Sequence, residues 1–397
     1  MKRTWTSAIL VVLGFFVLYA LTAQRGLGWG DSGEFQYRIL SLPLSAGLVA
    51  GCDSFATAHP LYVLVGKLVA WSPYTVTLIS SFFGALAVGG LFCCTRRIDL
   101  CVLFGLSHCF WWLSCVAEVY TMLTALLSFE VFFLMRFLRT GRRADLAAMM
   151  FVNGLNLCVH NVALLSLPVY GILLLSGWKR RNALADIAVA AVAWAAGAVL
   201  WVHAFVTRGP ADVLFGGYGG AALGCWSTNW EVTLFNYALV LLSLVVPLLL
   251  VRWHFRDRAC GKASAAPVPR VPVAVLALAA IHALFWVRYF NVSQFTFFLP
   301  TLFFVYLLLG RLEIGRTRFG ALVPMQLLVP VLAYLVVSQV AVPNWYCGFH
   351  ADRNDAAYFT LPWKFHDSSA DRCAAQLSTP WNGYPFRHAD IMNGAKK

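Results

Sequence analysis

Residues 59–94 read HPLYVLVGKLVAWSPYTVTLISSFFGALAVGGLFCC, and how this stretch divides decides how the chain lies. Its second part, 74–94, carries no charge and is long enough to cross a hydrocarbon layer roughly 30 Å thick as a helix. Its first part, 59–72, is also apolar, but it is short and carries Lys67. Apolar runs like 74–94 recur outward in both directions. The candidate spans are 6–23, 74–94, 99–117, 119–138, 144–160, 161–177, 183–206, 231–251, 271–289, 293–310 and 319–341.

Charge settles the doubtful segment. With 59–72 left out and the N-terminus inside, the inner side holds 19 of the 30 Lys and Arg residues, in clusters such as Arg136–Arg143 and Arg252–Arg270. Counting 59–72 as a span would export the Arg136–Arg143 cluster, against the positive-inside rule. The segment is therefore predicted to lie in, or re-enter, the outer interface. The outer face then carries a first loop, 24–73, a second near 207–230 with the flexible Gly216–Gly220, and a tail, 342–397.

Composition excludes the soluble alternatives. The chain is 60% hydrophobic and 12% charged, well below the roughly 25% charge of ordinary globular proteins. A net charge of +13 would point to nucleic acid in a soluble protein, but here the cations sit between apolar spans, so no nucleic-acid partner is expected. Lys2, Arg3 and an apolar core from Ser7 to Ala23 could be a signal peptide. The length of that core favours a retained helix. The 11 cysteines contain no CxxC and no Cys/His ligand pair, which argues against zinc. Cys347 and Cys373 both fall in the outer tail, where a disulfide could form, with Cys52 and Cys225 as competing partners. The expected architecture is an all-α polytopic membrane protein with about eleven transmembrane helices, one membrane domain over 1–341 and a short tail.

One topology brings the polar residues to one side. Asp31 and Glu34, three apart after the first span, share a face if a helix begins there. Asp31-Ser32-Gly33-Glu34 also has the form of a capping box. His59 opens the interfacial segment, Glu118 and Tyr120 sit at an outer turn, and His160-Asn161 forms another. Arg208, Asp212, Arg288 and Gln294 map to the same face. The inner acids Asp99, Asp145, Asp186, Asp257 and Glu313 lie beside Arg or Lys and read as charge balance. Glu130 is an intramembrane carboxylate without an evident role. Carboxylates, imidazoles and arginines at one depth suit a substrate with an apolar tail and a phosphate head. Arginine would neutralise phosphate, and a carboxylate would deprotonate a hydroxyl.

The order of motifs carries this further. Gly30-Asp31-Ser32-Gly33-Glu34 and His59-Pro60-Leu61-Tyr62 are followed by Ala117-Glu118-Val119-Tyr120-Thr121, Gly154–Asn161, Gln294–Pro300 and Pro362-Trp363-Lys364. Together they resemble the GDSGE, HPPGYPLY, AEVYTL, GLxLxxHH, DQFTFFLP and PWK elements of one membrane family. That family includes the animal protein O-mannosyltransferases of plexin-type receptor domains and bacterial relatives. Three departures stand out: the PGY insert is missing after His59-Pro60, Asn161 replaces the second His, and Ser293 stands where the pattern has Asp.

The resemblance implies a GT-C fold and an inverting hexosyltransferase, with mannose a candidate sugar. The donor would be a polyprenyl- or dolichyl-phosphate-linked sugar, the acceptor a protein Ser/Thr or a glycan hydroxyl, and membrane lipid the surroundings. Asp31 matches the acid that acts as base, with Glu34 beside it. His59, Glu118, Tyr120, His160 and Gln294 would contact substrate, and Arg208 and Arg288 the phosphate. No metal ligand set is assigned and no cofactor is required, although a divalent metal is compatible with the carboxylates. The implied location is a bacterial inner membrane with the site facing the periplasm, or the endoplasmic reticulum with a lumenal site. The rival readings are a lipid or polar-solute transporter and an inactive binding module.

Overall fold

The computed structural model describes residues 2–26, 31–48, 58–176, 183–215, 230–260, 271–289, 294–312 and 316–337. Gly30, Cys52, Gly216–Gly220, Cys225, Ser293, Glu313, Pro362-Trp363-Lys364, Cys347, Cys373 and the tail 342–397 lie outside the described residues. Among the described residues the chain is helical, with no strand.

The helices are α1 (Lys2–Thr22), α2 (Asp31–Leu40), α3 (Leu44–Gly47), α4 (Pro60–Val69), α5 (Pro73–Thr95), α6 (Ile98–Gly105), α7 (His108–Ser114) and α8 (Tyr120–Thr140). They continue as α9 (Arg143–Leu157), α10 (Leu167–Ser176), α11 (Ala183–Gly197), α12 (Val199–Arg208), α13 (Trp230–Ala259), α14 (Val273–Arg288), α15 (Leu299–Leu309) and α16 (Arg316–Val337). Short 3-10 turns at Asn161–Ser166 and Gln294–Phe298 lead into α10 and α15.

The centre is α5. Ser72 caps it, accepting from the Thr75 amide while the Thr75 hydroxyl accepts from the Ser72 amide. It packs along α1 and α8; α8 packs on α9, and α9 on α11. Gly154 of α9 and Gly197 of α11 permit that last approach, because a Cβ on either would collide with the other helix's backbone. By contrast α1 buries little of itself and leaves Ile9, Leu10, Leu13, Val17 and Leu21 more than half exposed. A helix apolar on its outside is what a lipid surround requires, so the chain is an integral membrane protein.

The expected spans all fall on helices, but not all as single straight ones. Among the described residues, four helices are long and apolar enough to cross a membrane: α1, α5, α8 and α13. A fifth counts only if α11 and α12 are one span, and these are bent by 79°. The run 99–117 is two helices, α6 and α7, parted at Leu106–Ser107, where the Ser107 hydroxyl turns back to the Phe104 carbonyl at 2.6 Å. The segment 59–72 contains the 10-residue α4, about 15 Å long at 1.5 Å per residue and so too short to cross.

The charge-balance reading has a direct structural counterpart. Arg97 pairs with Asp99, Arg136 with Asp145, Arg143 with Asp186 and Arg318 with Asp257. Each acid assigned to the inner side that is described has an arginine on it.

Candidate active site

The site forms where the start of α2, the N-terminus of α4, the α7–α8 turn and the turn after α9 meet. The Gln24 amide bonds the Cys115 carbonyl at 2.8 Å, tying the chain after α1 to the α7–α8 turn. Gln36 on α2 donates to the Gly26 and Pro73 carbonyls at 3.2 and 3.1 Å, fixing α2 against the start of α5. These two ties decide where Asp31 lies.

The helix α2 begins at Asp31 itself, so this carboxyl sits in the first turn, where the helix dipole favours negative charge. Asp31 keeps accessible surface although the fold crowds it closely, as a carboxyl on the wall of a cleft does. Burial raises its pKa above the ordinary carboxylate range, and the Arg38 charge opposes that rise. Glu34, one turn on, accepts from Arg38 Nη1 at 3.5 Å.

Glu118 reaches the same place from the other side. The Ser80 hydroxyl accepts from the Glu118 amide at 2.9 Å and donates to its carbonyl at 2.8 Å, while the Tyr62 hydroxyl donates to Ser80 Oγ at 3.0 Å. The backbone of the turn is thus held by α4 and α5. The side chain accepts from Ser32 Oγ at 3.3 Å through Oε1, and Oε2 is buried with no hydrogen-bond partner among the described residues. Burial, then the charge of Asp31, pushes its pKa far above normal; the Ser32 bond counteracts weakly. A carboxyl so poorly solvated takes up a proton more readily than one in water.

Arg38, which the sequence reading passed over, is fully buried. Its Nη2 donates to the Ala58 carbonyl at 2.5 Å and the Leu48 carbonyl at 3.4 Å, and its guanidinium lies 5.8 Å from the Phe35 ring centre. It closes the first outer loop and supplies the cation beside the acids. The only sequence signal was its position four residues after Glu34.

His59 caps α4 with φ 48° and ψ 51°, a left-handed conformation that costs on the order of 1–3 kcal/mol in a non-glycine residue. Its Nδ1 donates to the Val159 carbonyl at 2.7 Å, and burial holds its pKa down to about 4. The His160 ring lies 5.1 Å away, its Nδ1 accepting from the Val162 amide at 3.1 Å. Aromatic rings continue the wall: Tyr120 and Phe297 stand 5.8 and 5.5 Å from His160, and Tyr289 is 4.5 Å from Phe297. Phe297 entered the sequence reading only within the Gln294–Pro300 motif, without a role, and Tyr289 was not singled out.

The remaining expected residues are placed differently. Arg288 is exposed at the end of α14, next in sequence to Tyr289. Gln294 is buried, donating to the Trp286 carbonyl at 2.8 Å, with Oε1 unpartnered among the described residues. Arg208 pairs with Asp212 at 2.8 Å, and no described contact joins it to the carboxylates. Asn161 donates to the Val213 carbonyl and accepts from Trp201, so it pins α12 to the turn carrying His160. Glu130 lies apart in a closed network, accepting from Asn153 at 2.9 Å, Asn156 at 2.8 Å and Tyr170 at 3.0 Å. Among the described residues no group of His, Cys, Asp and Glu is arranged to hold a metal ion.

Residues 100–184 match the family model for the N-terminal domain of the protein O-mannosyl-transferase TMEM260, a stretch that includes Ala117–Thr121 and Gly154–Asn161. The crystal structure of ArnT from Cupriavidus metallidurans bound to undecaprenyl phosphate is similar at TM-score 0.58 and 14% identity, over 95% of this chain and 70% of that one. ArnT from the same organism in the apo state gives TM-score 0.55 and 13% identity, over 99% and 76%. No curated protein matches the chain. At such identities the likeness to both structures is one of fold, the GT-C fold.

Proposed function

We propose that this chain transfers a hexose, with mannose the first candidate, from a polyprenyl-phosphate donor to a hydroxyl of a protein or glycan at the outer face of its membrane. A bacterial inner membrane with the cleft facing the periplasm fits best; a lumenal site in the endoplasmic reticulum is the alternative. The observation that carries the reading is the meeting of Asp31, Glu34, Arg38, Ser32 and Glu118 at one point, with Asp31 the most exposed of the three acids there.

The chemistry follows from those positions. A hydroxyl attacking the anomeric carbon loses its proton to the Asp31 carboxylate as the bond from that carbon to the phosphate oxygen breaks. The phosphate leaves on its lipid, and the configuration inverts. A pKa raised by burial makes Asp31 a stronger base than a solvated aspartate, while the Arg38 charge opposes that rise and favours the ionised form. Glu118, neutral, offers a proton on Oε2 as a hydrogen-bond donor. Arg288, at the rim beside Tyr289, meets the phosphate.

A transporter would need polar residues at mid-membrane depth and broken helices; the bend between α11 and α12 is such a break, but it carries no carboxylate. Glu130 has three donors already, which leaves it structural. The test is incubation of the purified protein with undecaprenyl-phosphate-linked mannose and candidate hydroxyl acceptors, read by mass spectrometry. Sugar transfer that disappears with Asp31→Asn supports the reading; no transfer to any acceptor with several donor sugars sinks it.

A further inference from the structure

We propose that the paired imidazoles of His59 and His160 hold neighbouring hydroxyl groups of the donor's sugar, and not its phosphate. This rests on the transferase reading above and assigns the part of the donor that each wall of the cleft receives.

The argument begins with tautomers. The Val159 carbonyl can only accept, so His59 Nδ1 carries the hydrogen and Nε2 presents a lone pair. The Val162 amide can only donate, so His160 Nδ1 presents its lone pair and the hydrogen is on Nε2. Both δ edges are therefore spent on one short loop, and both ε edges turn away from it. Among the described residues neither Nε2 has a hydrogen-bond partner, and neither is sealed from solvent.

The result is an acceptor and a donor side by side, on rings 5.1 Å apart and inclined by 31°. A phosphate oxygen is an acceptor only, so it would meet His160 favourably and be repelled by the lone pair of His59. Two adjacent hydroxyls fit both: one donates to His59 Nε2, the other accepts from His160 Nε2–H and can donate to the first. Phe35 at 5.6 Å from His59, and Tyr120 and Phe297 beyond His160, add the aromatic surface that suits a sugar's apolar face. Burial and Arg38 both disfavour the charged form of His59, so the acceptor edge persists at neutral pH. The left-handed backbone of His59 is what turns this ring onto Val159. The phosphate is left to the Arg288 side of the aromatic wall.

The full chain in lipid nanodiscs is titrated with undecaprenyl phosphate and with undecaprenyl-phosphate-linked mannose and glucose. Asparagine places an amide near the position of Nδ1 and nothing at Nε2, whereas glutamine reaches Nε2. For His59→Asn and His160→Asn the affinity for undecaprenyl phosphate should stay within about twofold of wild type, while that for the sugar-linked lipids falls about tenfold or more. His59→Gln and His160→Gln should recover part of the loss. Equal weakening towards all three lipids would assign the pair to phosphate or to folding and overturn the proposal, as would unchanged affinity for all three. If the wild type binds undecaprenyl phosphate but gains nothing from the attached sugar, this inference fails alone. If it binds none of the lipids, the transferase reading fails with it.

Discussion

The Ser32 hydroxyl donates to Glu118 Oε1 across 3.3 Å, joining the first turn of α2 to the α7–α8 turn 86 positions later in the chain. It is one long hydrogen bond on a carboxyl whose other oxygen is buried without a partner, beside Asp31 and near Glu34. That poverty of solvation makes Glu118 easier to protonate in the fold than in water. A carboxyl whose folded pKa is raised favours the folded state most below its unfolded value, near 4.5, and loses that contribution as pH rises towards the folded pKa. Glu118→Gln, neutral at every pH, should therefore match wild-type thermal stability near pH 4 and exceed it increasingly from about pH 5 upward. Melting curves of both proteins across that range check this; a constant difference would mean that Glu118 is ionised in the fold.

Arg38 is a fully buried cation beside Asp31 and Glu34, and its guanidinium also bonds two carbonyls of the first outer loop. Arg38→Met should cost about 3–5 kcal/mol in stability, because it strands buried charge. It should also raise the pKa of Asp31, since Arg38 opposes the effect of burial there. The acid limb of the pH–rate profile then moves to higher pH. Arg38→Lys keeps the charge but not the fork that reaches Glu34 and Ala58 together, so it should restore the limb and only part of the stability. A limb that stays in place in Arg38→Met would separate Arg38 from the base.

How much of this was legible depended on which force set each feature. The charge pairs Arg97–Asp99 and Arg136–Asp145 follow from local clustering, and α4 follows from its length and Lys67, so both could be read in the sequence. The break between α6 and α7 could not, because Ser107 and His108 are single polar residues in an apolar run. What parts the helices is the turn of the Ser107 hydroxyl onto Phe104. The bend at Ala198 is similar: Gly197 serves contact with α9, and Trp201 is drawn to Asn161. In the site, Asp31 and Glu118 stood out as acids beside apolar spans. Arg38 looked like an ordinary loop cation, because its burial comes from Leu48 and Ala58 folding around it. Arg208 looked equivalent to Arg288, and its ion pair with Asp212 could not be read from the sequence reliably.

Glu130 accepts three hydrogen bonds and returns none, so its two oxygens must both accept. Glu130→Gln turns one of them into a donor facing Asn153 and Tyr170 or Asn156. The loss should be about 1–3 kcal/mol, seen as a lower melting temperature. Turnover per folded molecule should hardly change, because the network touches the α8–α10 packing and not the cleft. A variant of normal stability and much reduced turnover would make Glu130 functional.

The two outer arginines should differ in the same assay. Arg288→Ala is expected to weaken binding of undecaprenyl phosphate by about tenfold, and Arg288→Lys to recover charge but not bidentate geometry. Arg208, held by Asp212 at 2.8 Å, should be nearly silent towards the lipid when changed to alanine. Unchanged affinity in a folded Arg288→Ala protein would mean that Arg288 only reaches to the lipid headgroups; a larger loss at Arg208 would exchange their roles.

The last prediction separates Asp31 from Glu34. Both stand on one face of α2, a turn apart, and either could take a proton from a hydroxyl. Their surroundings differ: Glu34 accepts from the buried Arg38 at 3.5 Å, whereas Asp31 keeps open surface in the cleft. A base has to be within hydrogen-bond reach of the group it deprotonates, and base catalysis by a positioned carboxylate contributes about 10²–10⁴-fold. Asp31→Asn keeps the size of the side chain and removes the base. It should fold, bind undecaprenyl phosphate normally and transfer sugar at least about 100-fold more slowly. Glu34→Gln loses an ion pair at 3.5 Å and should slow transfer by about tenfold or less, with some loss of stability through Arg38. Single-turnover rates with a sugar-linked lipid, measured beside lipid affinity, distinguish the two. If Glu34→Gln is inactive and Asp31→Asn is not, the base is Glu34 and Arg38 is its orienting partner. If both keep near-normal rates, the proton goes elsewhere and Asp31 serves only the start of its helix.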